Sequence, residues 1–241
     1  MKLIKSSYKI LTPINNIILE VIELAARTCY KSEEKIGSHE ECPKCKKNIV
    51  PDCKICGGIG YTVSSRALVY KLMQRGHEAM LEFGPSITVK FVCDRGVSHE
   101  FVRHRLCSFA QESTRYCNYG KNEHVTFIIP EWMPDVKEGI FTGTITVPST
   151  IPSQMWLRSM DKAGQTYNAL IKEGWQPQQA RSVLPNSLKT ELNIKANIRE
   201  WRHIFKLRTA NAAHPQIREL MRPLLDEFKL KIPILFDDIN Y

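Results

Sequence analysis

Two segments that alternate strictly between apolar and polar residues constrain the fold more than any other feature of the chain. Residues 87–93 (ITVKFVC) and 188–194 (LKTELNI) have a period of two, which predicts strands with one buried face. Segments with helical spacing surround them at 152–174, 197–208 and 215–228. The second of these is expected to have Asn197 as its cap and Ile198, Trp201, Ile204 and Phe205 inward. Because strands and helices do not alternate regularly, we expect an α+β fold, with an antiparallel or mixed sheet flanked by helices, rather than a repeating βαβ sheet.

Shorter segments complete the predicted element order. Residues 8–11 and 125–130 have the composition of strands, and a helix with Ile17, Ile18, Val21, Ile22 and Ala25 inward is expected from about Asn16. A second helix is expected with Ser64 or Ser65 as its N-cap, and a third, short one to span 178–184. In the long helix, Met155, Leu157, Met160 and Tyr167 are expected to face inward.

Length and composition are those of a globular protein. The chain has 241 residues, of which 43% are hydrophobic and 24% charged, and it can bury a substantial core. No apolar run approaches the roughly 18 residues of a membrane span, and the first residues, MKLIKSSYKIL, are too short and interrupted for a signal peptide. We therefore expect one cytoplasmic domain, 1–241, with a small insertion at 40–60.

The charge balance favours anionic partners. With 34 Lys and Arg against 25 Asp and Glu, the formal charge is +9, which suits nucleic acid, nucleotides, or phosphorylated or polyglutamylated cofactors. The sign of the charge does not choose among them. The chain lacks long blocks of like charge, which disfavours a disordered nucleic-acid tail.

Four cysteines form a cluster in the insertion. CPKC and CKIC give the spacing C-x2-C-x7-C-x2-C with Cys42, Cys45, Cys53 and Cys56, which predicts a zinc-knuckle-like site. The segment holds few apolar residues, so metal binding would have to supply the ordering free energy. Four ligands leave no open position, and the zinc would be structural. The alternative is two redox-active CxxC pairs.

The stretch RHRLCSFAQESTRY, residues 103–116, carries three arginines beside residues that suit a packed interior, Leu106, Phe109 and Ala110. A core does not tolerate unpaired guanidinium groups, whereas a buried anionic ligand would satisfy both residue types. Arginine grips a phosphate or the imide edge of a uracil through two donors. The stretch therefore predicts a site for an anionic ligand.

Arg-His-Arg followed after seven residues by Ser resembles the signature of the flavin-dependent thymidylate synthases. Four further segments resemble that family in the same order along the chain: ELAARTCY (23–30), RGHEAMLEF (75–83), ARSVLPNS (180–187) and NIREWRHIFKLR (197–208). The resemblance spans about residues 20 to 220. It implies that the chain is one catalytic domain of this family, a flavoprotein and methyltransferase of nucleotide biosynthesis.

The resemblance also implies the reaction and the ligands. Members form homotetramers that bind FAD at subunit interfaces and methylate dUMP to dTMP; methylenetetrahydrofolate supplies the carbon and NADPH reduces the flavin. The residues implied at FAD are His77, Arg103, His104, Arg105, Gln111, Asn197, Arg199 and His203. Those implied at dUMP are Glu100, Arg103, Gln111, Glu112, Ser113, Thr114, Arg115, Arg181 and Arg208.

By the same resemblance, Arg208 is the catalytic residue, contacting the uracil ring and favouring its N3-deprotonated form. Uracil C5 is a poor nucleophile, and a guanidinium in a water-poor pocket would stabilise the developing anion. An older alternative makes Ser113 a nucleophile, but no base is evident beside it. Several positions depart from the family pattern: Cys29, Ala79, Glu100, Gln111 and His203.

Two other functions remain open from the sequence. A nucleic-acid-binding protein could combine a zinc knuckle with a basic body, although aromatic residues do not interleave with the basic ones. An FAD-binding homologue without methylation activity would keep the same arginines. For His77 and Glu82, a helix-capping histidine and a surface glutamate are the alternatives to a flavin contact.

Overall fold

The computed structural model describes residues 1–122, 124–141 and 150–241. The strands in these residues are β1 Lys2–Ile4, β2 Ser7–Ile10, β3 His39–Glu41, β4 Tyr61–Val63, β5 Ile87–Asp94, β6 Ser108–Gln111, β7 Thr126–Ile128, β8 Gly139–Ile140 and β9 Lys189–Ala196. The α-helices are α1 Ile17–Tyr30, α2 Ser64–Gln74, α3 Arg95–Phe101, α4 Ile151–Lys172, α5 Pro177–Ala180, α6 Ile198–Arg208, α7 Pro215–Lys231 and α8 Pro233–Phe236. Short 3-10 helices cover Glu33–Lys35, Glu78–Phe83, Tyr119–Asn122 and Arg181–Val183.

The strands form three sheets, and their topology confirms the α+β prediction. The largest has the order β2-β5-β9-β6, with the two alternating segments as its central strands. The second has the order β7-β1-β8 and is mixed, because β1 runs parallel to β7 and antiparallel to β8. The third is the antiparallel pair β3-β4, which lies at the base of the cysteine insertion.

The chain divides into two compact units. Unit 1 comprises Met1–Lys9, Val89–Ile194 and Pro215–Leu220, and unit 2 comprises Ile10–Thr88, Lys195–His214 and Met221–Tyr241. The single-domain assignment for 1–241 and the boundaries of the insertion at 40–60 stay predictions. Among the described residues, no helix is both long and apolar enough to span a membrane.

In unit 1, α4 and the three-stranded sheet share a core. Leu157, Met160 and Tyr167 are buried with Leu3 and Phe127. The prediction that Met155 faces inward is wrong, because its side chain is 63% exposed. The buried stripe runs through residues 153, 157, 160, 164 and 167, spaced by three or four, and position 155 lies off that stripe.

In unit 2, aromatic rings form the centre of the core. Trp201, Phe205, Phe228 and Phe236 have ring centroids 5.1–5.7 Å apart, and the indole N–H of Trp201 donates to the Ile87 carbonyl oxygen at 3.0 Å. The rings come from α6, α7 and α8, and the sequence predicts the inward positions of the two rings of α6, Trp201 and Phe205.

Helix α1 of unit 2 begins where the sequence predicts but is rotated from the predicted face. Ile18, Leu19, Ile22 and Ala26 are buried, whereas Ile17 is 54% exposed, so the prediction for Ile17 is wrong. Position 17 lies at the first turn, before the packed stripe begins.

Candidate functional site

Helix α3 in unit 1 ends immediately before the Arg-His-Arg sequence. Asp94 caps the helix, accepting from the backbone N–H of Val97 at 2.7 Å, and the chain leaves it in a tight turn. In that turn the N–H of Arg103 donates to the carbonyl of Glu100 and that of His104 to the carbonyl of Phe101. This turn places Arg103 to Arg105 directly after the end of the helix.

The three residues of this turn differ in burial. His104 is 5% exposed, whereas Arg103 and Arg105 point to the surface of the chain. The expectation that Leu106 and Ala110 are packed inside is wrong for this chain: Leu106 is 73% exposed and Ala110 is exposed. The physical reason is that β6 is the edge strand of its sheet, and the turn that precedes it has no neighbouring strand to cover it.

Gln111, the last residue of β6, is held by two hydroxyl groups. Its Nε2 donates to Ser98 Oγ at 2.9 Å and to Thr190 Oγ1 at 3.2 Å. Both amide hydrogens are thereby used, and the group can offer only its carbonyl oxygen to a ligand. Ser98 and Thr190 were not among the predicted site residues, and their sequence context gives no signal for this role.

Glu112 takes part in an ion-pair network with residues of β9. Lys189 Nζ lies 2.9 Å from Glu112 Oε2 and 2.7 Å from Glu191 Oε1, and Lys90 also pairs with Glu191. Burial works to lower the pKa of Lys189, but the two carboxylates outweigh it and raise that pKa. The hydrogen bond from Lys189, with one from Lys90, lowers the pKa of Glu191. Glu112 is thus neutralised by a fixed cation.

Ser113 and Thr114 lie in a turn that Arg181 supports. Ser113 Oγ accepts from the N–H of Arg115 at 3.3 Å, and Arg181 Nη1 donates to Thr114 Oγ1 at 2.8 Å. The guanidinium of Arg115 lies 5.4 Å from the ring centroid of Tyr116. The structure thus brings together the predicted dUMP residues 113–115 and Arg181, which are distant in sequence.

In unit 2, α6 carries the other predicted residues. Asn197 caps the helix by accepting from the N–H of Glu200 at 2.8 Å, which confirms the predicted cap. His203 is exposed on the helix, and Arg208, its last residue, is half-buried. A cation at a helix C-terminus is stabilised by the helix dipole.

Arg199 pairs with Glu82 through an exposed contact of 2.6 Å. That hydrogen bond raises the pKa of Arg199, so the guanidinium stays charged at every physiological pH. Glu82 is therefore a surface glutamate, which is the alternative to a flavin contact at this position.

A cleft of about 450 Å³ in unit 2 brings His77 and Arg199 together. Its other lining residues are Cys29, Tyr30, Leu72, Gly76, Glu78, Ala79 and Met80. His77 occupies the N-cap position of the 3-10 helix that follows it, as the capping alternative predicts, but its side chain makes no capping bond among the described residues. Cys29 and Ala79, two of the departures from the family pattern, lie in this cleft.

The cleft combines cationic, aromatic and apolar lining, and its volume lies in the range of small-molecule sites. Tyr30, Gly76 and Glu78 were not among the predicted site residues. The sequence points to them only indirectly, because they lie in two of the segments that resemble the family: Tyr30 ends ELAARTCY, and Gly76 and Glu78 belong to RGHEAMLEF.

The four predicted metal ligands also come together in unit 2. The sulfur atoms of Cys42, Cys45, Cys53 and Cys56 all lie within 4.8 Å of one another, and none of the four forms a disulfide. This geometry agrees with the predicted knuckle-like insertion.

The chain was compared with known proteins. The family model described as thymidylate synthase complementing protein matches residues 16–234. A flavin-dependent thymidylate synthase of Corynebacterium glutamicum is 28% identical over 220 residues, covering 91% of this chain and 79% of the relative. One from Pyrococcus abyssi is 29% identical over 163 residues, covering 67% of this chain and 62% of the relative.

Among solved structures, a UMP/dUMP methylase, PolB, from Streptomyces cacaoi, bound with 5-Br dUMP, has a similar fold. Its TM-score is 0.68 at 21% sequence identity, and the match covers 98% of this chain and 96% of that one. The likeness shows the fold. The family match includes each residue predicted for FAD and dUMP, from His77 to Arg208, and the chain belongs to the thymidylate synthase complementing protein family, that of the flavin-dependent thymidylate synthases.

Proposed function

We propose that this protein converts dUMP, methylenetetrahydrofolate, NADPH and a proton into dTMP, tetrahydrofolate and NADP. The observation that carries the proposal is that the family match, over residues 16–234, includes the Arg-His-Arg-x7-Ser signature and all other residues predicted to bind FAD or dUMP. The names of the relatives, and the dUMP analogue bound to the Streptomyces protein, agree with this reaction.

The residues of unit 1 are proposed to bind dUMP. Arg115 and Arg181 supply guanidinium groups for the phosphate, and Ser113 supplies a hydroxyl at the turn between them. Because both amide hydrogens of Gln111 are engaged, its carbonyl oxygen accepts from the nucleotide. Glu112 carries no net repulsion toward the phosphate, because Lys189 neutralises it.

For Glu100 and Thr114 the proposed roles are smaller. Thr114 is buried and accepts from Arg181, so it orients the arginine as much as it contacts the nucleotide. Glu100 lies half-buried in the last turn of α3, and we assign it to the sugar or base side of dUMP, since a carboxylate beside a phosphate is unfavourable.

The residues of unit 2 that we propose to contact FAD are His77, Asn197, Arg199 and His203. The residues of unit 1 that we propose to contact FAD are Arg103, His104, Arg105 and Gln111. The cleft between His77 and Arg199 fits part of such a ligand in chemistry: an arginine and a histidine suit an anionic group, while Tyr30, Leu72 and Met80 suit an apolar ring. When bound, the flavin supplies the relay of the methylene group and of the hydride. The protein's part is orientation, charge and the exclusion of water.

The remaining parts of the proposal concern cofactors and assembly. NADPH and methylenetetrahydrofolate are co-substrates, and a structural zinc ion occupies the four-cysteine cluster. The active form is a homotetramer with sites at subunit interfaces, which would cover Arg103, Arg105 and Leu106. A monomer in sedimentation analysis of the active protein would contradict this assembly.

The proposed reaction is tested with the purified full-length chain. We expect yellow protein that forms dTMP when given all three substrates, with product identified by chromatography and mass spectrometry. Yellow protein that oxidises NADPH without forming dTMP would favour an FAD-binding homologue without methylation. Protein that cannot be loaded with FAD but binds DNA at moderate salt would favour the nucleic-acid alternative.

Replacing Arg181 with methionine should weaken dUMP binding selectively. The change removes a charged hydrogen-bond donor from Thr114 and from the proposed phosphate site, and one such bond contributes about 1.5–3 kcal/mol. The KM for dUMP is expected to rise about 10- to 100-fold, while bound flavin stays constant. Arg158→Met, which removes an arginine of α4 outside the proposed sites, is the matched control; an unchanged KM in Arg181→Met would remove Arg181 from the site.

A further inference from the structure

The two Cys-x-x-Cys segments of the insertion have the same backbone geometry. In the first, the N–H of Lys46 donates to the carbonyl of Cys42, and that of Asn48 to the carbonyl of Cys45. In the second, eleven residues later, Gly57 and Ile59 make the equivalent bonds to Cys53 and Cys56. The insertion is thus a pair of like turns.

The sulfur atoms receive equivalent bonds as well. The backbone N–H groups of Lys44 and Cys45 donate to Cys42 Sγ, and those of Ile55 and Cys56 donate to Cys53 Sγ. Donors aimed at a sulfur atom stabilise a thiolate rather than a thiol. Each turn therefore aims the same pair of backbone donors at the sulfur atom of its first cysteine.

Both turns continue in the left-handed backbone region. Gly57 and Gly58 have φ of 64° and 92°, and the equivalent residues of the first turn, Lys46 and Lys47, have φ of 47° and 69°. Glycine adopts this conformation freely, whereas lysine does so against strain. Such strain persists only where the surroundings fix the backbone, and surface lysines have little packing to do so.

The four sulfur atoms have the separations of a tetrahedral site. Cys42 Sγ lies 3.9 Å from Cys53 Sγ, and Cys45 Sγ lies 3.8 Å from Cys56 Sγ. A tetrahedral zinc ion with Zn–S bonds of about 2.3 Å requires S···S separations of about 3.8 Å. The sulfurs and Ile55 are the buried cluster of the insertion, which is too small to order these turns by hydrophobic burial.

The second turn is attached to α2 through its carbonyl groups. Arg66 donates from Nε to the Ile55 carbonyl oxygen at 2.9 Å and from Nη2 to the Lys54 carbonyl oxygen at 2.8 Å. Thr62 Oγ1 also donates to the Ile55 carbonyl, at 3.1 Å. Tyr70 of α2 and Ile234 of α8 pack against the cysteine cluster.

We infer that Cys42, Cys45, Cys53 and Cys56 bind one tetrahedral Zn²⁺, and that this ion braces helix α2 through Arg66. Cys53 and Cys56 flank the two carbonyl groups that Arg66 holds, so coordination of both cysteines fixes those carbonyls in place. Loss of the metal frees the turn and removes the partners of Arg66. The site is closed, without a position for a substrate, and its role is separate from the proposed methylation.

The metal site is tested on the full-length chain purified in reductant without added chelator. Elemental analysis is expected to give about one zinc per chain, lost in Cys53→Ser and retained in Cys117→Ser, a matched thiol control outside the cluster. Replacement by Co²⁺ should give the visible and charge-transfer bands of a tetrahedral four-thiolate site. A folded, metal-free chain whose mass shows two disulfides, or zinc retained in Cys53→Ser, would overturn the site.

The proposed effect of the zinc ion on α2 is measured separately, by an experiment that does not require Cys53→Ser to fold. Arg66→Met should keep its zinc, yet backbone amides of α2 should exchange with deuterium at least about tenfold faster, as expected for the loss of both hydrogen bonds of this charged group. Zinc removal by a chelator should accelerate the same amides, and Lys35→Met should not. Lys46→Gly should release zinc more slowly, because it relieves the strained φ. Unchanged α2 exchange after both zinc removal and Arg66→Met would refute the brace.

Discussion

Replacing Arg208 with alanine is expected to lower the turnover of dUMP about 10²- to 10³-fold while leaving bound flavin unchanged. A loss of turnover of this size is typical when an enzyme loses one preorganised hydrogen-bond donor that stabilises the charge developing in the transition state. In the proposed reaction that charge is on the uracil ring, and a half-buried guanidinium is well suited to stabilise it. The measurement is dTMP formation at saturating substrates, with flavin content read from the absorbance of the same samples.

Two companion variants sharpen this test. Arg208→Lys keeps the charge but loses the planar pair of donors, so it should recover only part of the rate. Lys206→Ala removes an exposed cation from the same helix and should leave turnover near normal. Near-normal turnover in Arg208→Ala, with folded and yellow protein, would remove Arg208 from the catalytic role.

Replacing Asp238 with alanine is expected to destabilise the protein by about 2–3 kcal/mol. Asp238 holds Arg202 through two contacts of 2.7 and 2.6 Å, and the Arg202 side chain is only 2% exposed. Breaking a buried pair from one side costs about 3–5 kcal/mol, and we lower that figure because Asp238 is itself 53% exposed. The thermal midpoint should fall by about 5–10 °C.

A second substitution tests the cause. In the Asp238→Ala variant, the ion pair left to Arg202 among the described residues is the longer one with Glu78, at 3.5 Å. Arg202→Met in that background removes this poorly compensated buried charge, so the double variant should be more stable than Asp238→Ala alone. If the double variant is less stable, the buried guanidinium contributes mainly through its packing and its bond to the Leu235 carbonyl.

The same pair gives a pH dependence with a defined sign. Burial works to raise the pKa of Asp238, but the hydrogen bonds and charge of Arg202 outweigh it and lower the pKa below its usual value of 3.8. A carboxyl with a depressed pKa stabilises the folded state fully above its unfolded pKa, about 3.9, and this stabilisation is lost as the pH falls through the folded pKa. The wild type should therefore lose more stability between pH 5 and the acid limit than Asp238→Ala does.

The sequence predicts most of the regular elements because their periodicities are strong. The alternation at 87–93 and 188–194 corresponds to β5 and β9, and Asn197 was correctly identified as a helix cap. The short strands β1 and β8 and the edge strand β6 were not predicted, since two to four residues carry too little periodic signal. The exposure of Leu106 escaped as well, because it depends on which strand lies at the edge of a sheet.

For the candidate site, the sequence identifies the residues that would contact ligands better than the neighbouring residues that hold their side chains in place. The cysteine spacing alone is enough to bring Cys42 and Cys53 together, and the resemblance named Gln111 and Glu112 as ligand residues. The resemblance did not predict Thr190, which bonds Gln111, or Lys189, which pairs with Glu112. Both partners lie on β9, and the pairing of β9 with β6 is known only from the order of strands in the folded sheet. Such partners are set by tertiary pairing, for which a single sequence has no local signal.

The pairing of Glu41 with Tyr61 has a consequence for how such an insertion is gained or lost. These two residues are opposite partners at the ends of β3 and β4, so the chain leaves and re-enters the enzyme body at nearly one point. A segment with adjacent ends can be excised and replaced by a tight hairpin turn without moving the flanking backbone. Removal of the cysteine-containing hairpin and closure of the chain between Glu41 and Tyr61 is therefore expected to leave α1 and α2 in their positions.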